Sequence, residues 1–145
     1  MQTINDSSVS SVTLQPLINF VSSQYKIHNQ VILHVVDCQE SGRMTNGWTG
    51  REDADAPIIV KIKLSSSLQY PRLTRHVKET PIINLSSFDE EFVLVLAHEL
   101  RHASQFDTGA FRVMTLESSE VDAENYAIRI LERYRAYNNK LDKAA

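Results

Sequence analysis

Five consecutive residues, His98-Glu99-Leu100-Arg101-His102, carry the chain's most chemically specific pattern, H-E-x-x-H. On a helix, histidines four residues apart lie one turn apart on the same face. Neutral imidazole nitrogen is a good zinc ligand, so the two rings can bind one ion together. A catalytic zinc site needs three protein ligands and leaves a fourth position for water. The pair therefore requires one more ligand from elsewhere in the chain.

The segment around this motif predicts a buried helix. Ser87 and Glu90 form a capping box at its start, and Gly109 is a natural end. Apolar residues on nearly every side place this helix in the domain centre. The alternative is that His98 and His102 are core histidines bonded to nearby carbonyls, but such polar groups are costly in an apolar helix without compensating partners.

The last helix carries the candidate third ligand in Glu120-Val121-Asp122-Ala123-Glu124. At 100° per residue, Glu120 and Glu124 fall within the arc of apolar residues that faces the core. Two unpaired buried carboxylates are expensive, which favours a cation between the helices. Three alternatives stay open. The third ligand could be Glu117, or, less favourably, Asp122, which points about 160° away from Glu120. In the third alternative, Glu120 and Glu124 lie on a solvated edge of the helix and bind no metal.

The spacing of these two segments distinguishes families of zinc peptidase. The metzincin pattern is excluded because Gln105 and Thr108 stand where that family has Gly and His. Glu120 follows His102 by 18 residues, and the segment that it opens resembles the E-x-x-A-[DE] segment of gluzincins, the thermolysin-like group, and of their small single-domain members, the minigluzincins.

The resemblance implies a zinc metallopeptidase that hydrolyses peptide bonds of a peptide or protein substrate. His98, His102 and Glu120 would bind Zn²⁺ as the sole cofactor, and Glu99 would be the general base that takes a proton from water. Glu124 would accept the remaining ring N–H of a ligand histidine. The alternative from another class is a non-catalytic, zinc-containing interaction module with a zincin-like fold.

Two further expectations follow from the resemblance. In gluzincins an extended substrate pairs with the edge strand beside the active helix, and residues 82–85 are the best-placed candidate for that strand. In the family a Tyr or His stabilises the oxyanion, but no motif identifies that residue in this sequence. The residues considered for this role are His76, Arg112, Tyr126 and Tyr134.

The remaining elements predict a single α+β domain over residues 1–145. We expect a frayed start at 1–11, a helix from about Leu14 to Tyr25, strands at 31–36, 58–64 and 81–85, an exposed loop at 40–55, and a last helix from about 115–119 to Asn138. The predicted fold is zincin-like: a small, mostly antiparallel sheet packs on the central H-E-x-x-H helix, and the C-terminal helix supplies the third ligand.

Composition excludes several classes of partner. With 15 basic and 18 acidic residues dispersed along the chain, there is no basic surface for nucleic acid. The single cysteine, Cys38, cannot form an internal disulfide. No signal peptide or membrane span is evident, so we expect a cytoplasmic protein that does not bind membranes. The sequence does not indicate an oligomeric state.

Overall fold

A computed structural model describes residues 1–39, 45–65 and 67–144. The elements in chain order are β1 (Gln2–Asp6), α1 (Ser11–Ser22), β2 (Val31–Asp37), β3 (Asn46–Gly50), β4 (Ile58–Leu64), β5 (Arg72–Thr74), β6 (Ile83–Leu85), α2 (Phe88–Thr108), a 3-10 turn (Ala110–Arg112) and α3 (Leu116–Ala144). Within the described residues the protein is therefore a mixed α+β domain with three α-helices.

The main sheet has four strands in the order β1-β2-β4-β3. β1 pairs with β2 and β2 pairs with β4 in parallel, whereas β3 pairs with β4 antiparallel. The prediction of a mostly antiparallel sheet is thus wrong for this sheet. β1 and β2 are parallel because α1 crosses over between them and returns the chain in the same direction. β2 and β4 are parallel because β3, which comes between them in the chain, pairs on the far side of β4.

Two segments that were predicted to lack regular structure contain strands. Residues 2–6 of the expected frayed start form β1, and residues 46–50 of the expected exposed loop form β3. The part of that loop at 40–44 lies outside the described residues. Both new strands flank the predicted pair β2 and β4, whose inward residues, among them Leu33, Val60 and Ile62, are fully buried.

Helix α2 begins and ends as its sequence predicts. The Ser87 hydroxyl accepts a hydrogen bond from the Glu90 backbone N–H at 3.2 Å, and the Glu90 carboxylate accepts one from the Ser86 N–H at 2.7 Å. Gly109 ends the helix in the left-handed region, with φ at 77°, a conformation that glycine adopts without steric cost. Residues on all sides of α2 are buried, which confirms its central position.

Helix α3 packs on α2 more extensively than any other described pair of elements does. It extends beyond the predicted end at Asn138 to Ala144. Arg135 anchors its middle by donating to both carboxylate oxygens of Glu90, at 2.8 and 3.0 Å. Among the described helices, none is long and apolar enough to cross a membrane.

A buried ion pair attaches a separate hairpin, β5 and β6, to α2. Arg72 donates to Glu91 through Nε at 2.8 Å and through Nη2 at 2.9 Å, and the Tyr70 hydroxyl donates to the same carboxylate at 2.9 Å. Glu91 is 1% exposed and lies two turns before His98 on α2. The pair therefore sets the position of the hairpin loop, residues 75–82, relative to the H-E-x-x-H motif.

This geometry predicts that Arg72→Ala lowers the free energy of unfolding by about 3 kcal/mol, because it leaves a buried carboxylate without its cationic partner. Chemical denaturation measures the change. Arg133→Ala is the matched control, since Arg133 is exposed and its described hydrogen bond is to Gln24. Its expected effect is within about 0.5 kcal/mol. Equal losses in the two variants would contradict the anchoring role of Arg72.

Candidate metal centre

Two imidazole rings of α2 and one carboxylate of α3 meet where these helices pack. His98 and His102 lie one turn apart, and their Nε2 atoms are 3.1 Å apart. Glu120 places Oε2 at 3.1 Å from His98 Nε2 and Oε1 at 3.1 Å from His102 Nε2. The three residues that the sequence selected as ligands are thus brought together at one point.

The hydrogen bonds around Gln105 determine which nitrogen of His102 carries a proton. The Gln105 amide N–H₂ donates to the Ser119 carbonyl at 3.1 Å and to Asp122 at 2.9 Å. Both partners are acceptors, so the amide oxygen must be the atom that lies 2.9 Å from His102 Nδ1. Nδ1 of His102 therefore donates a proton to that oxygen, and in the neutral ring Nε2 carries a lone pair.

Glu124 determines in the same way which nitrogen of His98 carries a proton. Its carboxylate is 3% exposed, and Oε2 lies 2.9 Å from His98 Nδ1. An ionised carboxylate only accepts, so Nδ1 of His98 donates to it, and in the neutral ring Nε2 carries a lone pair. The contact that the sequence predicted between Glu124 and a ligand histidine is present in this structure.

The consequence is that two ring nitrogens and a carboxylate face one another, with Glu120 Oε2 beside His98 Nε2 and Oε1 beside His102 Nε2. With both rings neutral, His98 Nε2, His102 Nε2 and the Glu120 carboxylate have no proton to share, so their approach is repulsive unless a positive charge lies among them. Two atoms bound to one tetrahedral zinc ion at 2.0–2.1 Å are about 3.3 Å apart. The observed separations of 3.1 Å fit this geometry, and two His with one Glu is a known ligand set of catalytic zinc.

The contacts among His98, His102 and Glu120 also shift the pKa values of these three groups. Burial opposes the charge on His98, but hydrogen bonds to Glu120 and Glu124 outweigh it and raise its pKa to about 9. Burial likewise opposes charge on His102, and its hydrogen bond to Glu120 is the main cause of its raised pKa. Hydrogen bonds from the histidines, His102 first, hold the pKa of Glu120 far below its usual range. The cluster attracts positive charge, for which protons and a metal ion compete.

Glu99 lies beside the cluster and contacts β3. The Thr49 hydroxyl lies 2.5 Å from Glu99 Oε2 and 3.1 Å from the Glu99 carbonyl oxygen. Gly47 leaves space for the side chain, because a Cβ there would lie 2.3 Å from Glu99 Cγ. Burial raises the pKa of Glu99, and the hydrogen bond from Thr49 opposes this increase. A carboxylate with a raised pKa is a stronger base once ionised.

A cleft of about 560 Å³ opens over these groups. Its floor includes His98 and Glu99, together with the apolar side chains of Leu94 and Val95. One wall is the start of β3 and the other is the segment 74–76 after β5. The cleft therefore gives a ligand access to His98 and to Glu99, whereas His102 and Glu120 line a second cleft of about 350 Å³.

The rival ligands lie elsewhere. Glu117 is exposed in the first turn of α3. Asp122 pairs with Arg101, whose Nε lies 2.8 Å from Oδ2. Neither carboxylate takes part in the cluster of His98, His102 and Glu120.

His76 is the site residue that spacing did not single out. Its Nε2 lies 2.6 Å from Glu120 Oε2, and its ring stands edge-on to that of His98 with centroids 4.4 Å apart. Of the four residues considered for the oxyanion, it is the one that the described contacts bring to the cluster. Tyr126 packs on Tyr25 instead, Tyr134 packs on Phe20, and Arg112 lies against Phe111.

The segment that was predicted to pair with substrate, residues 82–85, does not belong to the main sheet. Residues 83–85 form β6, which pairs with β5 outside the main sheet. Among the described strands, β3 is the edge strand of the main sheet that lies against α2. Its inward residues, Gly47 and Thr49, are the ones that contact Glu99. Residues 83–85 are therefore not an edge strand of the main sheet, although β6 also contacts α2.

Comparison of the chain with models of known protein families, with curated proteins and with solved structures gave no significant match. The basis for a functional proposal is therefore the H-E-x-x-H motif together with the geometry of His98, His102 and Glu120.

The contact between Glu124 and His98 predicts a graded effect on metal binding. Glu124→Ala should weaken zinc affinity by about 10- to 100-fold, because the ring loses the partner that fixes its tautomer. Glu124→Asp should be milder, since it keeps a carboxylate. Competition with a chromophoric zinc chelator measures the affinities, and Glu117→Ala is the control on the same helix. Wild-type affinity in Glu124→Ala would leave this residue with a packing role only.

Proposed function

We propose that the protein is a zinc-dependent metallopeptidase with a zincin-like fold of the gluzincin type. Zn²⁺ would be bound by His98, His102 and Glu120, and Glu99 would be the general base. The observation that carries this proposal is the convergence of two imidazole nitrogens, 3.1 Å apart, on the Glu120 carboxylate, each of whose oxygens lies 3.1 Å from one of them. The opposite nitrogens of both rings are already placed as donors. Such an arrangement supports a metal site rather than a pair of core histidines.

Glu99 has the properties that hydrolysis requires of a base. When bound, zinc would polarise the scissile carbonyl and lower the pKa of a water molecule towards neutrality. The Glu99 carboxylate, held by Thr49 beside the cluster, accepts the proton of that water and later returns it to the leaving amine. Because Glu99 is not among the converging ligand atoms, it is available for this transfer.

The edge strand β3 supports a peptide as substrate. An extended peptide adds to an open sheet edge through main-chain hydrogen bonds, and its alternate side chains enter pockets beside the strand. The cleft beside β3 has an apolar floor at Leu94 and Val95. A peptide bound there would have its backbone next to both Glu99 and the metal ligands.

One observation favours the second candidate, a non-catalytic zinc module. His76 contacts Glu120 at 2.6 Å, and its donor atom lies within 4.8 Å of those of His98 and Glu120, so a third imidazole borders the cluster. Four protein ligands are typical of structural zinc, whereas a catalytic ion keeps a position open. Measurements of metal content and of hydrolysis separate the two candidates, because the module predicts zinc without turnover.

The proposal predicts one zinc ion per chain, removable by a chelator. His98→Ala, His102→Ala and Glu120→Ala should each abolish stoichiometric binding, because each removes one of the proposed ligands. Mass spectrometry of the metal content checks this, with His28→Ala as the control because His28 is an exposed residue that pairs with Asp107. Protein prepared with zinc available but carrying none would refute the metal site.

Glu99→Gln should keep zinc and the fold but lower peptide hydrolysis by about 10²- to 10⁴-fold, because the amide cannot take a proton from water. The amide oxygen of Gln can still accept from Thr49, so the geometry is preserved. Initial rates on an unfolded protein or a peptide library test this, with Glu79→Gln in an exposed turn as the control. Equal rates for Glu99→Gln and wild type would show that Glu99 is not the base.

A further inference from the structure

We propose that His76 is a fourth protein ligand of the metal, so that the hairpin loop 75–82 closes the position that water and substrate need. This inference rests on the proposed zinc site and adds a way in which its hydrolytic activity would be inhibited. In the closed form the ion would have three imidazole nitrogens and one carboxylate as ligands. Departure of His76 alone would then open the site.

The first argument is the placement of the imidazole rings. The rings of His76 and His98 have centroids 4.4 Å apart and an interplanar angle of 67°. The rings of His98 and His102 have centroids 4.8 Å apart and an angle of 78°. The ring of His76 thus packs against that of His98 with nearly the same distance and angle as the ring of His102 does. The donor atoms of His76, His98 and Glu120 all lie within 4.8 Å of one another.

The second argument is the distance that His76 must move to coordinate. Its Nε2 lies 2.6 Å from Glu120 Oε2, which is a hydrogen-bond separation. Two atoms on one zinc ion are about 3.3 Å apart, so this separation would lengthen by roughly 0.7 Å on coordination. A side chain in an exposed turn makes such a shift without disturbing a helix.

The third argument is the difference in how the four donors are supported. The side chains of His98 and His102 are 7% and 13% exposed, and that of Glu120 is 26% exposed, all on long helices. The His76 side chain is 49% exposed and stands on a loop. His76 is thus the ligand that water or a peptide can displace, while the other three retain the ion.

The loop is also held at a defined distance from the ion. The pair of Arg72 with Glu91 anchors the strand before it. After His76, the buried Thr80 hydroxyl donates to the Val77 carbonyl at 2.8 Å and closes the turn. With both sides of the turn fixed, the His76 ring remains near the cluster even when it is not coordinated.

The test uses the intact chain loaded with Co²⁺ in place of zinc, because the visible spectrum of Co²⁺ reports coordination number. Wild-type protein should give the intense bands of a four-coordinate ion and should not bind added azide. His76→Ala should bind azide with a change of spectrum, and its zinc affinity should fall by more than about tenfold. His34→Ala, which removes an imidazole that pairs with Asp6 on the sheet, should behave as wild type.

Hydrolysis gives an independent measurement. If His76 closes the site, His76→Ala should cleave peptides faster than wild type does at saturating zinc. Unchanged Co²⁺ spectra and zinc affinity in His76→Ala would overturn the proposal, and loss of hydrolysis with those values unchanged would instead assign His76 to the reaction itself. Altered spectra with no hydrolysis by any variant would support the fourth ligand and refute the peptidase.

Discussion

The site depends on one electrostatic constraint: two imidazole nitrogens 3.1 Å apart each lie 3.1 Å from one oxygen of the same carboxylate inside the protein. Left without a positive charge, they would repel one another and push α2 and α3 apart. The packing of these helices keeps them together, since α3 contributes buried Ala127, Ile130 and Leu131 to the common core. Helix packing thus holds an arrangement that a cation completes.

Two side chains connect this constraint to the rest of the fold. Gln105 orients His102 and at the same time bonds two groups of α3. Glu124 orients His98 from α3 across the interface. Because each of these bonds joins α2 to α3, the proton positions on the rings and the docking of the helices depend on each other. A metal at this point would therefore also stabilise the helix pair, since it binds the folded arrangement only.

The parts of the site that lie on continuous helices could be predicted from the sequence. Helical periodicity placed Glu120 and Glu124 on one face and His98 with His102 on another, and the capping box and Gly109 gave the ends of α2. β1 and β3 could not be found in this way, because β1 has no fully buried side chain and β3 has only Gly50 buried. Their positions come from pairing with β2 and β4, which no local pattern records.

The contact of His76 with Glu120 could not be predicted either, because it depends on the position of the hairpin. In the proposed site, the three helical donors would hold the ion and leave one position. Whether the chain or water fills that position would depend on His76, which is half-exposed on a loop, whereas the other three donors lie on long helices. Glu99 faces the same cleft from α2, with Thr49 and Gly47 of β3 shaping its surroundings. Glu99, the proposed base, would therefore be in place whether or not His76 is coordinated, and the position of a single imidazole would separate a closed zinc site from a hydrolytic one.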